Sequence, residues 1–370
     1  MVSWNETLPA DNSDEFDLLI KQAVDQIYNI KFDEADYTVN KLKTDFPNHP
    51  AGYFFDAMIY WWKIMLDFNN EEYDDILEDK LEEVIDLCDD IIDEDPENVD
   101  AIFFKGGALG YRGRLGAVRE DWFSAGLDGK EALPLVYRAY ELDSLNNDVQ
   151  LGFGIYNYYA SVIPERYPMV KPIMMFFPSG DKAKGISQLE NAAFNGKYSK
   201  YEARYFLMTL FYRYEKNYSE ALKYAELLTS EFPDNPSFQR YHGRIYVGMS
   251  NYTNASTIFR DIRNKCMTGK KGYSLWTKRE ADYYLAMNYK NRGILDSAVT
   301  YFNESAAISA ILDEDGESGF YVSAVLHSAG LNERLGKIEK AIELYEKVLD
   351  MDEYRNSHQK AEQSLETLSK

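Results

Sequence analysis

Chemistry needs nucleophiles, acid–base groups or metal ligands held close together. The chain offers few candidates: four histidines, His49, His242, His327 and His358, and two cysteines, Cys88 and Cys266. None of the six stands at ligand spacing from another His or Cys, and no histidine neighbours an evident nucleophile. HExxH, GxSxG and P-loop sequences are all missing. Leu109-Gly110-Tyr111-Arg112-Gly113 is glycine-rich, but it follows a helical pattern where a dinucleotide loop must follow a strand. Ile311–Val322, ILDEDGESGFYV, resembles half of a calcium loop. Setting Gly316 as its turn glycine puts Ile311 and Val322 where the first and last carboxylates belong, so calcium is rejected. Carboxylate pairs are plentiful, and without geometry none identifies a general acid and base. The residues therefore predict a non-enzyme, with no catalytic residue, metal or cofactor.

Composition narrows the partners. Across 370 residues, 62 acidic side chains face 40 basic ones, a formal net charge of -22. Such an excess counts against nucleic acid and against an anionic membrane surface, both of which are held by Lys and Arg. Asp67–Glu97 alone carries sixteen carboxylates and one base, Lys80. This stretch is expected to be a solvated helix face and loop, a metal or a basic partner being the alternative. Two distant cysteines suggest neither a disulfide framework nor zinc. Tyr53–Leu66 is the most apolar run, yet it is short and interrupted by Asp56 and Lys63, so no transmembrane segment is expected. The N-terminus has no basic-then-apolar signal pattern, which fits a cytoplasmic chain or an exported one already free of its leader.

The positioning elements emerge from an internal repeat. Ala341-x3-Tyr345-x2-Val348 is preceded by Gly336, Ile338 and Ala329. The pattern recurs as Ala35, Val39, Leu42, Pro47; as Val84, Cys88, Ile91, Pro96; and as Ala132, Val136, Ala139, Ser144. It returns as Gly185, Leu189, Ala192; as Tyr218, Ala221, Ala225, Leu228, Pro233; as Gly243, Ala255, Phe259, Ile262; and as Ala286, Gly293, Ala298, Phe302. Small residues at these places let paired helices approach closely, and large ones at helical period fill the space to the next pair. The spacing resembles the tetratricopeptide repeat. It implies an all-α, right-handed superhelical solenoid of about eight helix pairs, closed by a polar-faced capping helix over Asn356–Leu368. No linker divides residues 1–370, and insertions are expected at 67–80, 112–130 and 163–182.

Ile163–Lys182, IPERYPMVKPIMMFFPSGDK, is the most irregular stretch. Pro164, Pro168, Pro172 and Pro178 are expected to forbid a regular helix through it, and its apolar residues must be buried or form a binding patch. Ser179-Gly180-Asp181 predicts a turn and an N-capped helix. Lys105-Gly106-Gly107, Gly152-Phe153-Gly154-Ile155-Tyr156-Asn157, Ser161-Val162-Ile163-Pro164 and Phe176–Lys184 with Gly185 and Leu189 give a further resemblance. They look like the eukaryotic tetratricopeptide family of the yeast inclusion-body-clearance protein, and like bacterial relatives with a Gly-Asp-x-x-x-Gly turn. The resemblance covers roughly Lys105–Asn235. It implies an adaptor without catalysis and tilts the expectation toward an exported bacterial chain. A weaker one, to the tetratricopeptide component of periplasmic solute transporters, implies an apolar channel.

In such solenoids the first helix of each pair lines the inner groove. Counting back from the signature alanines places Phe206, Leu210 and Arg213 there, then Arg240, Arg244 and Val247, then Tyr283, Met287 and Lys290. This aromatic and basic surface in an acidic protein suits an extended peptide, or an apolar ligand with an anionic end. The leading expectation is a scaffold capturing a protein or peptide through Phe206, Arg213, Arg240, Arg244, Tyr283, Met287 and Lys290. The rival is a lipid or apolar small molecule held by Tyr156, Tyr159, Met174, Phe176 and Phe177.

Overall fold

The structure, a computed structural model, describes residues 10–143, 146–168, 171, 175, 178–314 and 316–369. Met174, Phe176 and Phe177 lie outside the described residues. Among those described every regular element is helical. The chain divides into two compact units, Met1–Lys216 with Lys223–Asn235, and Asn217–Leu222 with Pro236–Lys370.

In the first unit run α1 (Ala10–Tyr28), α2 (Phe32–Asp45), α3 (Ala51–Leu66), α4 (Asp74–Glu94) and α5 (Val99–Val118). They are followed by α6 (Trp122–Leu142), α7 (Val149–Arg166), α8 (Lys182–Asn195), α9 (Lys200–Leu210) and a π-helical turn, Phe211–Glu215. After α10 (Tyr218–Glu231) the second unit runs α11 (Pro236–Gly248), α12 (Tyr252–Met267), α13 (Leu275–Asn291) and α14 (Leu295–Leu312). It ends with α15 (Gly319–Arg334), α16 (Ile338–Leu349) and α17 (Ser357–Leu368). From α1 to α9 and from α11 to α17, each helix packs chiefly on its neighbours in chain order, the arrangement of a helical solenoid.

The repeat residues form the seams. Ala35, Val39 and Leu42 are buried, as are Ala221, Ala225 and Leu228; so are Ala255, Phe259 and Ile262, and Ala341, Tyr345 and Val348. Small residues are needed where helices touch. A Cβ on Gly243 would lie 2.6 Å from the Phe259 ring, and one on Gly185 would lie 2.6 Å from the Tyr158 amide nitrogen of α7. Burial of the seam, rather than intrinsic propensity, holds helices of this length in water. On the acidic helix α4 the seam is Leu77, Leu81, Val84, Ile85 and Cys88. Burial drives the Cys88 thiol up to about 12, so it behaves as an apolar side chain.

Three irregular stretches resolve differently. Residues 67–73 precede α4 as a loop. Residues 112–130 extend α5 and begin α6, whose first turn is capped by Asp121 accepting from the Ser124 amide at 3.0 Å. α7 runs past Pro164 to Arg166 and ends at Tyr167, so the first of the four prolines falls in the last turn of a helix. So close to the helix end the ring removes a single backbone bond, and the chain turns out immediately afterwards. Asp181 caps α8 as expected, accepting from the Lys184 amide at 3.0 Å. A buried carboxylate orders the residues just ahead of α9. Asp148, 5% exposed, accepts from the amides of Lys197 (3.1 Å), Tyr198 (2.8 Å) and Ser199 (2.8 Å), and from the Ser199 hydroxyl (2.7 Å).

No helix among the described residues is long and apolar enough to cross a membrane.

Candidate functional site

In the second unit, α11 presents Arg240 and Arg244 one turn apart, and both turn to the same carboxylate on α13. Arg240 Nε donates to Glu280 Oε2 at 2.8 Å, while Arg244 Nε and Nη2 donate to Oε1 and Oε2, each at 2.5 Å. The Glu280 side chain is only 1% exposed. Burial alone would push its carboxyl up, but the guanidinium groups of Arg244 and Arg240 outweigh that and hold it below the usual range. A second network lies alongside: Arg263 reaches Asp282 and Glu304 at 2.7 Å each, and Lys278 reaches Asp282 at 2.6 Å. Arg279 pairs with Asp313 at 2.7 Å between the rings of Trp276 and Phe320. Each of these cations meets a carboxylate already in place, Glu280 and Asp282 each serving two.

Tyr283, Met287 and Lys290 follow at i, i+4 and i+7 on α13 and therefore share one face. Tyr283 packs against Phe302 and Phe320 with ring centroids 5.5 and 5.2 Å apart, and Met287 packs on the core formed by Ala286, Phe302 and Leu331. Lys290 differs from the arginines. It forms no ion pair with any carboxylate among the described residues; its Nζ donates instead to His327 Nδ1 of α15 at 3.1 Å. Burial, then Arg334, push the Lys290 ammonium down. Burial, then Lys290 and Lys360, push His327 down to about 4. At neutral pH the imidazole is therefore uncharged and free to accept from the lysine.

In the first unit the geometry brings together residues from both predicted sets. The Arg114 guanidinium of α5 lies over the rings of Trp61 (4.4 Å), Phe206 (4.8 Å), Tyr205 (5.7 Å) and Tyr111 (5.8 Å). Its nearest carboxylate oxygen, on Glu202, is 3.5 Å away, and Glu202 also accepts the Tyr28 hydroxyl at 3.0 Å. Tyr159 stands 6.3 Å from Phe206 and 5.6 Å from Tyr214, ring to ring. Arg114 was missed by counting groove positions. The available signal was Gly107, Tyr111 and Arg114 at i, i+4 and i+7, one face of α5. Leu210 is fully buried, and Arg213 is exposed in the π-helical turn, where its carbonyl accepts from Arg166 at 3.4 Å. The Tyr156 hydroxyl is engaged with the Pro178 carbonyl.

A cleft of about 500 Å³ elsewhere in this unit is lined by Asp74, Glu78, Arg112, Arg119 and Asp128. Its cations are already paired, Arg112 with Asp128 and Glu82, Arg119 with Asp74. Among the described residues no three His, Cys, Asp or Glu gather as metal ligands would.

Comparison with known proteins bears on the C-terminal part of the second unit. Residues 323–355 match the tetratricopeptide-repeat family model. The chain thus carries a tetratricopeptide repeat where Ala329, Ala341, Tyr345 and Val348 had placed one. No curated protein matches the chain. One similar solved structure is that of Pseudomonas aeruginosa pilF, 12% identical with a TM-score of 0.45, covering 70% of this chain and 97% of that one. Another is the human IFIT1 dimer with m7Gppp-AAAA, 15% identical with a TM-score of 0.43, covering 99% of this chain and 87% of that one. None of these matches bears on the yeast inclusion-body-clearance family.

Proposed function

We propose that the chain is a non-enzymatic scaffold that captures an extended segment of a partner protein on the face carrying Tyr283, Met287 and Lys290. One observation carries this reading: Lys290 is a half-buried cation with no carboxylate partner among the described residues, set beside aromatic rings on one helix face. Tetratricopeptide architecture supports a protein partner, because paired helices present a long lateral surface rather than an enclosed pocket. The net charge of -22 supports a protein over nucleic acid; the capped RNA belongs to the IFIT1 structure. Arg240 and Arg244 take a lesser part here, since both are already bonded to the buried Glu280.

The test is capture of partner from native lysate with the wild type and with Tyr283→Ala/Lys290→Glu. Loss of a stoichiometric protein in the double variant supports the face. An unchanged set of captured proteins removes it.

A second reading, an apolar ligand with an anionic end, is favoured by Arg114, whose guanidinium lies among Trp61, Phe206 and Tyr205 with one long contact to Glu202. Native mass spectrometry showing a co-purifying acid that is lost in Arg114→Met would move the conclusion there. Repeated blanks would remove this reading.

A further inference from the structure

The scaffold reading names a face, and the charges around that face name the chemistry of what it holds. Three helices converge: α13 brings Lys290, α15 brings His327 and Arg334, and α17 brings Lys360, with Arg355 just ahead of it. The electrostatic influences on Lys290 come from Arg334, and those on His327 from Lys290 and Lys360; every one is a cation. Lys290, Arg334, Arg355 and Lys360 have no carboxylate partner among the described residues. Lys360 Nζ donates to the Arg355 carbonyl, and Arg355 lies over the Tyr354 ring at 5.0 Å. In a chain with 62 acidic residues, four cations without a carboxylate partner among the described residues are a local excess of one sign. Phe302, 5.0 Å from the His327 ring, and Tyr283, 6.3 Å from it, wall the other side and limit water.

Resting on the scaffold reading, we propose that this face takes an acidic peptide. A partner carboxylate seats between Lys290 Nζ and the His327 ring, and seating draws one proton from solvent onto His327. The atoms account for the coupling. With Lys290 charged, its N–H occupies the Nδ1 lone pair of a neutral imidazole whose proton sits on Nε2. An arriving carboxylate supplies the missing negative charge, which favours the imidazolium. Protonation at Nδ1 then removes that acceptor. Lys290 is released from the ring, and lysine and imidazolium become two donors to one carboxylate. The charged groups that act on the pair are Arg334 on Lys290 and Lys360 on His327, with Arg355 acting on the neighbouring Tyr283.

The probes are N-acetylated hexaglutamate, hexaglutamine and inorganic phosphate, titrated into the full chain at pH 7.5 and 5.5. The His327 ring protons are followed by NMR, assigned by their loss in His327→Gln, and thermal melts confirm that the variants fold. Hexaglutamate is expected to bind about tenfold tighter at pH 5.5 than at 7.5, with one proton taken up. Lys290→Met should weaken it about tenfold, and His327→Gln should erase the pH dependence. Equal binding of hexaglutamate and hexaglutamine would overturn the acidic inference while leaving peptide capture standing. Phosphate alone perturbing His327 would make this a free-anion site, and wild-type affinity that ignores pH would overturn the proton step. No binding by any probe would overturn the proposal. The scaffold reading is judged separately, by lysate capture with the double variant.

Discussion

Two pairs of basic side chains in the second unit meet opposite fates. Arg240 and Arg244 share one buried carboxylate, Glu280, whereas Lys290 leans on a neutral histidine and has none among the described residues. The first pair lies on α11 and turns to α13, while Lys290 lies on α13 and turns to α15. The contrast teaches that a cation on a repeat helix is a binding group only when the fold has not already supplied its counter-charge. Where it has, the charge is part of the joint between helices.

The contrast can be broken at four strengths. Glu280→Gln leaves two partly buried guanidinium groups without an anion and should destabilise the protein by about 3–5 kcal/mol in urea unfolding; a loss under 1 kcal/mol would mean that the joint is superficial. Next, Arg244→Ala removes a bidentate partner and should cost about 2–3 kcal/mol, roughly twice Arg240→Ala, which removes a single bond; equal losses would show that Glu280 does not distinguish them.

The third test is acid. His242 and His327 are both held near 4 in the fold, by burial and, for His327, by Lys290 and Lys360 as well. The unfolded chain, with histidines near 6.5, then binds more protons below that value, so stability falls as pH drops from 7 to 5. After allowance for partial exposure, the two together should remove about 2 kcal/mol. His327→Gln should remove about half of that slope, and an unchanged slope would sink the assignment. The smallest effect belongs to Lys290→Met, expected to change stability by less than about 0.5 kcal/mol, because it ends a like-charge crowding and breaks no ion pair. A large loss there would make Lys290 structural after all.

The seams of the fold were legible because they are written in residue size. Ala35, Ala255 and Ala341 mark close approach, and Phe259 and Tyr345 fill what lies beyond, at spacings a helix repeats. The candidate site was legible only by position. Tyr283, Met287 and Lys290 could be placed on one face by counting, but nothing local separates Lys290 from Arg244. The deciding partners lie 36 residues away for Arg244 and 37 for Lys290, each on a later helix, so the two are alike in sequence separation and opposite in charge balance. Arg114 escaped for a related reason: Trp61, Glu202 and Phe206, which give it meaning, come from distant helices. Pro164 fits inside α7 because the rule against helical proline weakens within the last turn.

Asp148 has a consequence for the order of assembly. The amides it satisfies belong to residues 49, 50 and 51 positions further on. Asp148 is synthesised first, so the wait falls on its carboxylate, which stays in water until its donors leave the ribosome about fifty residues later. A solenoid built only of local contacts could zip from one end as it emerges. Here the carboxylate ahead of α7 has to wait, and on a chain growing by about 5–20 residues each second the delay is about 2.5–10 s. During that interval Asp148 keeps its water, which makes this the place where a nascent-chain chaperone would find the protein unfinished.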